Sequence, residues 1–510
     1  MFIINKLPTD IFYLLFGKWI SLRDVCLFDL ALTQHKYRKE FLKKLTEIVF
    51  ENRYYYGYHK KLSYKSNMLR WLSSRSLSLR DLGIDGYKIT MDESILVINK
   101  CVKLNYLEIQ NMKVSLIFIC KILDTCLDLN TIYIKNCSFI DDCDSNFCNK
   151  IKKLKIIDSR GLNDILVCKI SKIFTELEEL NIQICDITDI GIIEFSKCGK
   201  LNKLCINGCY HLTINVFGGF INFPILNKLV IKNNYEENIN TNFTINFCNI
   251  QVLDLSQFEV NNNNFLIIAK NCIYVKELHC PKSISKENII LITKNLVRLE
   301  KINFDNCKFI DNDGLICLIK AYPNLTSLSL VGCKKITNKG IIHISNCVML
   351  KELNLLNCNY YSSIIEIAKK CVFLTIIRIN IISEKAIVLL ARNCKNLKIL
   401  HTSSEFNNNI FKVLGKNCLQ LEFLSCKCNH VTDYGIKQLL NGCKTIKEIQ
   451  LFNCFKITNN SIDAILKIRL ISLILTNCKY ITREPFQYML NISSKFLCLS
   501  KESFWINLNF

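Results

Sequence analysis

The chain of 510 residues contains no uncharged apolar run near the roughly 18 residues that a membrane-spanning helix needs. Its opening residues, Met1 to Asp10, meet Asn5 and Lys6 where a secretory leader would carry its apolar centre. A cytoplasmic or nuclear location is the expectation. Catalytic signatures are missing too: no phosphate-cradling Gly-x-x-x-x-Gly-Lys, no His-Glu-x-x-His, no Cys-x-x-Cys and no regular Cys/His series of the RING type. We therefore expect no enzyme, no catalytic residues, no cofactor and no resident metal. Acidic residues are also under-represented, 44 against 66 basic ones, for a formal charge of +22. Such a charge attracts phosphates when it is gathered on one face. Here it is scattered, as in Lys152-Lys153, Lys334-Lys335 and Lys369-Lys370. Neither nucleic acid nor membrane is an expected partner. The nearest thing to a basic aromatic patch is Arg53-Tyr54-Tyr55-Tyr56-Gly57-Tyr58-His59-Lys60-Lys61, which reads as a connector packing its tyrosines or as a surface that stacks on bases.

What is present is a period. From Leu104 to Cys478 the chain repeats about every 24 residues in the form Leu-x-x-Leu-x-Leu-x-x-Cys, clearest at Leu325, Leu328, Leu330 and Cys333. A period in this range, joining a strand-like triplet to a second apolar segment, marks a leucine-rich-repeat solenoid. The expected fold is α/β: a curved array with parallel strands on its concave face and helices on its convex face. An array of this kind buries its core between neighbouring units, so one solenoid uses most of a long chain.

The 29 cysteines would suggest a disulfide framework if their positions were ignored. Their phase points elsewhere. Eight stand at the ninth position of a unit, and ten stand three residues before the next unit begins. Free cysteine behaves as a small apolar residue that is readily buried, so reduced, structural thiols are expected. The cluster Cys426-Lys427-Cys428-Asn429-His430 has zinc-ligand chemistry. Cys426 falls on an inward position and Cys428 on an expected outward one, which sets them apart. Within one unit, Leu325, Leu328 and Leu330 should face the core and Thr326, Ser327, Ser329, Val331 and Gly332 should face out. The links Ile187-Thr188-Asp189, Ile336-Thr337-Asn338, Val431-Thr432-Asp433 and Ile457-Thr458-Asn459 supply side chains that cap a helix start. This combination resembles the cysteine-containing subclass of leucine-rich repeats over residues 74–495. The units at Leu226, Ile250, Leu374 and Leu397 depart from it in lacking the ninth-position cysteine.

Before the array, residues 1–50 carry three helical patterns: Leu7-Pro8 leading Ile11, Leu14 and Leu15; Ser21-Leu22-Arg23-Asp24 leading Val25, Leu27, Phe28 and Leu30; and Phe41, Leu42, Leu45, Ile48 and Val49. Three short helices make a marginal free-standing domain. Leu7-Pro8-Thr9-Asp10-Ile11 and Ser21-Leu22-Arg23-Asp24-Val25 resemble the opening and mid-box turn of an F-box, although Ala31-Leu32-Thr33-Gln34-His35-Lys36-Tyr37-Arg38 stands where that family has Val-Cys-x-x-Trp. Residues 51–73 read as a helical connector, and 496–510 as a C-terminal cap or tail.

F-box proteins with such repeats are substrate receptors of cullin-type SCF ubiquitin ligases. The resemblance implies a Skp1-like adaptor, and through it a cullin, bound by Leu7, Pro8, Ile11, Leu14, Leu15, Leu22, Val25 and Phe28 as exposed apolar anchors. A protein target would meet the concave face, where Asp254, His279, Asn303, Ser329, Asn354, Arg378, His401, Ser425 and Gln450 form one outward column. The alternative is a repeat scaffold with no link to ubiquitin, its helical region serving as the polar cap that solenoids require.

Overall fold

In the computed structural model the described residues are 8, 11–12, 22–32, 35–46, 49–50, 71, 74–75, 78–87, 89–140, 150–213, 215–232, 249–258, 262–358, 363–468, 470–482, 497–499 and 503–507. They fall into two compact units, 1–250 and 251–510. The division lies between two repeats that lack the ninth-position cysteine.

In the first unit seven strands, Asp81–Asp85, Tyr106–Gln110, Thr131–Lys135, Lys153–Ile157, Glu179–Gln183, Lys203–Asn207 and Lys228–Lys232, pair in parallel and in sequence order. The second unit has ten: Val252–Asp254, Glu277–His279, Lys301–Asn303, Ser327–Ser329, Glu352–Leu355, Ile376–Ile379, Ile399–Glu405, Phe423–Lys427, Glu448–Phe452 and Ser472–Thr476. Helical segments alternate with the strands, as a parallel crossover requires. Each unit is a stack of leucine-rich repeats.

One repeat shows why the sequence settles this way. Leu325, Leu328, Leu330, Cys333, Ile336, Ile341, Ile344 and Cys347 are all buried, whereas Ser327 and Ser329 stay half-exposed on the other side of the strand. No repeat closes its own core, so removing a neighbour would expose this whole layer.

The cysteine positions follow from backbone geometry. All eight ninth-position cysteines are preceded by a residue in the left-handed region, φ between 49° and 70°: Asn136, Ile184, Gly208, Asn306, Gly332, Asn357, Asn453 and Asn477. That turn ends the strand and points the thiol inward. Asn and Gly tolerate it; the β-branched Ile184 is strained there. Cys137, Cys307, Cys333 and Cys358 then donate to backbone carbonyls of the preceding repeat, with Cys333 Sγ to Phe304 O at 3.0 Å and Cys307 Sγ to Pro281 O at 3.3 Å, while Cys185, Cys209, Cys454 and Cys478 donate to carbonyls of their own strand end. A second ladder runs at the helix ends, with Cys394 Sγ donating to Cys371 O at 3.4 Å and Cys443 Sγ to Cys418 O at 3.1 Å. Burial pushes the Cys394 and Cys443 thiols up to about 12, so they remain protonated donors. The cysteines of the repeats, from Cys101 to Cys478, are free thiols wherever they are described.

The Thr-Asp links do more than cap helices. Thr188, Thr337 and Thr458 accept the expected backbone N–H groups, while Thr432 stands at a helix start without such a bond. The following Asp or Asn reaches forward to the next repeat. Thr458 donates to Asp433 through N at 2.9 Å and Oγ1 at 2.6 Å, and Ser461 Oγ donates to the same carboxylate. Thr188 treats Asp164 in the same way, at 3.0 and 2.6 Å, and Thr432 N donates to Asn408 Oδ1 at 3.0 Å. This ladder explains Gly435: a Cβ there would stand 2.4 Å from Asn408 Oδ1.

At the end of the array, the segment Ser503–Asn507 pairs antiparallel with Ser472–Thr476, and Leu497–Leu499 pairs with it in turn. The tail expected to cover the last core thus also occupies the last strand's open edge, a position that otherwise invites pairing with another chain.

Candidate functional site

The strand face of the second unit is built by register. Asp254, His279, Asn303, Ser329, Asn354, Arg378, His401, Ser425 and Gln450 pair successively across nine strands. The column read from the sequence is therefore one continuous row. Its members differ in availability. His279 Nε2 lies 3.0 Å from Glu277 Oε1. Asn303 Nδ2 and Ser329 Oγ both donate to Asp305, whose own N–H returns a bond to Asn303 Oδ1 at 2.6 Å. These polar groups are occupied within the protein. Further along, Asn354 Oδ1 is buried without a hydrogen-bond partner, and Arg378 has no carboxylate within ion-pair distance among the described residues. Ser425 corrects the expectation of an outward contact residue: it is fully buried, and its Oγ is unpartnered. It forms part of the floor of the face.

A parallel row, two residues earlier on each strand, was not singled out in the sequence. It runs Glu352, Ile376, Ile399, Phe423 and Glu448. Here three half-exposed apolar side chains stand together with a glutamate at each end. His401 stacks on Phe423 with ring centroids 6.2 Å apart. Burial and the neighbouring charge of Arg378 hold this imidazole below its ordinary range, so it is neutral at pH 7. Around these residues opens a groove of about 750 Å³. On its rim Glu422 is held by Lys447 at 2.5 Å and Lys398 at 3.6 Å. The sequence signal for this site was available at the third position of the units beginning at Leu374, Leu397 and Leu421, where Ile, Ile and Phe follow one another, whereas among the other units only that at Ile250 has an aliphatic residue there, Val252.

The first unit's strand face is more fully paired. Glu179 lies between Lys203 at 2.6 Å and Lys153 at 3.2 Å. Burial alone would raise its carboxyl, but hydrogen bonds from those lysines keep it below the usual range. Lys155 Nζ lies 4.7 Å from the centroid of the Tyr133 ring.

No family model matches this chain. No curated protein matches it either. Among solved structures it is similar to an internalin (inlF) of Listeria monocytogenes, at 15% identity and a TM-score of 0.32, over 75% of this chain and 88% of that one. It is similar to TLR13 in a complex with ssRNA13, at 17% identity and a TM-score of 0.44, over 76% of this chain and 58% of that one. It is also similar to the yeast Rad7 and Elc1 complex, at 16% identity and a TM-score of 0.35, over 87% and 96%. The fold assignment rests on the chain's own strands, register and buried repeat.

The helical region ahead of the repeats has a polar centre. Asp29 is fully buried and accepts from Arg38 Nε at 2.7 Å, Arg38 Nη2 at 3.0 Å, Trp71 Nε1 at 2.8 Å and Arg75 Nε at 3.3 Å. It ties helix Leu22–Ala31 to helix His35–Thr46 and to Trp71 and Arg75. Burial works against its charge, yet these donors hold the carboxyl below its ordinary value. Phe12 packs edge-on against Phe41 at 5.9 Å, and Phe12 N donates to Pro8 O at 2.9 Å, as a helix opening at Pro8 requires.

Of the eight residues assigned to adaptor contact, Leu7, Leu14 and Leu15 lie outside the described residues, as does the stretch from Arg53 to Lys61. Pro8 is exposed, Ile11 is 50% exposed and Phe28 is half-buried, while Leu22 begins its helix. Val25 is a correction: it is fully buried and packs inside the helical region rather than serving as an exposed anchor. Among the described side chains of that helix, Leu27, 54% exposed, and Leu30, 63% exposed, face outward three residues apart on one face.

The zinc-like cluster is also resolved differently from expectation. Cys428 is buried rather than outward, and its Sγ lies 3.8 Å from Cys426 Sγ. The register shift between His401 and Glu405 on the neighbouring strand accompanies this early inward turn. His430 is exposed near Glu405, 3.9 Å away. Among the described residues no group of three or more His, Cys, Asp or Glu side chains is placed to hold a metal ion, and no helix is long and apolar enough to cross a membrane.

Proposed function

We propose that this chain is a non-catalytic protein-recognition subunit that receives substrates for a cullin-type SCF ubiquitin ligase. The observation carrying the recognition half is the groove at Ile376, Ile399 and Phe423, where apolar side chains, an unpaired guanidinium and a paired charged rim share one rigid strand face. Interfaces concentrate their binding energy at apolar and arginine anchors inside a polar rim, and that combination favours a protein ligand. The ligase half rests on the F-box resemblance of residues 1–50, and the outward apolar residues Ile11, Leu27 and Leu30 suit a contact with a Skp1-like adaptor. The test is co-purification of the full chain from its native cell. Capture of a Skp1-like adaptor and a cullin, lost on Ile11→Asp with the fold intact by circular dichroism, is the expected result. A soluble, folded chain that captures neither leaves only the scaffold reading. Because Val25 is buried, its substitution would confound folding with binding, and Ile11 is the better probe.

A further inference from the structure

We infer that the groove in the second unit takes an extended peptide segment in which an acidic side chain lies beside a large apolar one. This names the ligand class of the target surface proposed above and rests on that reading. Arg378 lies half-buried between Asn354 and His401 in the strand row, one face-neighbour from the apolar trio Ile376, Ile399 and Phe423. Several neighbouring charged groups on this face find partners inside the protein. Glu422 has two lysines, Glu277 has His279 and Lys301, and Glu352 accepts from Ser327 Oγ at 3.2 Å. Arg378 is the groove's one basic side chain without a carboxylate partner among the described residues, since Lys398 and Lys447 both pair with Glu422. A guanidinium offers a planar fork suited to bidentate carboxylate recognition, and partial removal from water strengthens such a bond.

The rest of the surroundings narrows the ligand. The neutral His401 stacked on Phe423 makes, with Ile376 and Ile399, an apolar floor for a neighbouring large side chain. Side chains two apart along an extended peptide point to the same side, so an acidic and an apolar residue at that spacing reach Arg378 and the floor together. The glutamates closing each end of the apolar row disfavour a uniformly acidic ligand and restrict the acidic contact to the centre.

The test is selection of random 12-residue peptides displayed on phage against the full chain, followed by fluorescence polarisation with the enriched sequence, labelled. Asp or Glu two positions from Phe, Leu, Met or Trp is the expected enrichment. Arg378→Ala should weaken that peptide about tenfold to a hundredfold, as loss of a charge-assisted bond does. Arg378→Glu should shift selection toward Lys or Arg, and Phe423→Ala should remove the apolar preference. Urea melts of each variant identify any that fail to fold, and the exposed charge swap Lys412→Glu, on helix Asn408–Asn417 and outside the groove lining, should change affinity less than fivefold. Selection without an acidic preference, or binding indifferent to Arg378 and Phe423, overturns the inference. If adaptor capture survives in that case, the ligase reading stands alone; if peptides bind as expected and no adaptor is captured, the ligase reading fails alone.

Discussion

Replacing Gly442 by alanine gives a test in which helix propensity and packing make opposite forecasts. Gly442 closes helix Asp433–Gly442, which lies beside helix Asn408–Asn417. A Cβ built on Gly442 would stand 1.6 Å from Gly415 O and 2.6 Å from its carbonyl carbon, and a Cβ on Gly415 would stand 2.2 Å from Gln438 O. Ordinary contacts are about 3.5–4.0 Å, so the helices would have to separate by roughly 1–2 Å while the buried Phe411, Leu414 and Leu439 resist. Propensity alone favours alanine by up to about 1 kcal/mol. Overpacking costs about 1–3 kcal/mol, and more when no side chain can rotate away; here the obstacle is backbone. Gly442→Ala should therefore lose about 2–3 kcal/mol net in urea unfolding followed by circular dichroism. Hydrogen exchange should localise the loss to residues 408–442, since repeats couple chiefly to their neighbours. The control is Gly218→Ala, where a Cβ would meet nothing within 4 Å; it should be neutral or gain about 0.4–1 kcal/mol. Gly442→Ala as stable as the parent chain would refute the close helix contact.

Three other outcomes follow from the ladders and turns. Asp433→Ala leaves Thr458 and Ser461 without their acceptor and should cost about 2–3 kcal/mol by denaturant titration. Because hydrogen bonds from Ser461 and Thr458 outweigh burial and depress the Asp433 carboxyl, its contribution is complete above the unfolded value near 3.9 and is lost as pH falls through the lower folded value. The stability gap between parent and Asp433→Asn should accordingly narrow below about pH 4. Ile184→Asn, at φ 52° on an exposed turn, should stabilise by about 1 kcal/mol in thermal melts, while an unchanged melting temperature would count against strain there. His401 has a depressed folded value, so the unfolded chain binds more protons below pH 6.5, and stability should fall from pH 7 to 5.5; His401→Gln should flatten part of that slope.

The repeat was legible because each unit must bury the same positions. Leu325, Leu328, Leu330 and Cys333 are legible as inward from the repeat alone, and the strand register aligns the column from Asp254 to Gln450. Less legible was how each position is used. The repeat formula leaves the residue before the ninth-position cysteine open, yet Asn306 and Asn453 supply the left-handed turn that aims the thiols. Asp433 looked like a helix cap, yet it serves the next repeat, a contact whose partner is 25 residues away and set by stacking. Val25 and Ser425 fell on apparently outward positions but are covered by neighbours, because burial at a given position depends on adjoining elements as well as on its own periodicity. The apolar trio escaped notice because a recognition surface crosses several repeats, and each unit contributes only one of its side chains.

The central claim is that one chain carries two separable protein contacts, one near its N-terminus and one on the second unit's strand face. The most direct measurement is quantitative mass spectrometry of proteins retained from the native cell by the parent chain, Ile11→Asp and Arg378→Glu, all shown to be folded. The expected result is a Skp1-like adaptor and cullin lost only with Ile11→Asp, and a distinct set of targets lost only with Arg378→Glu. Identical retained proteins for all three chains would contradict the account.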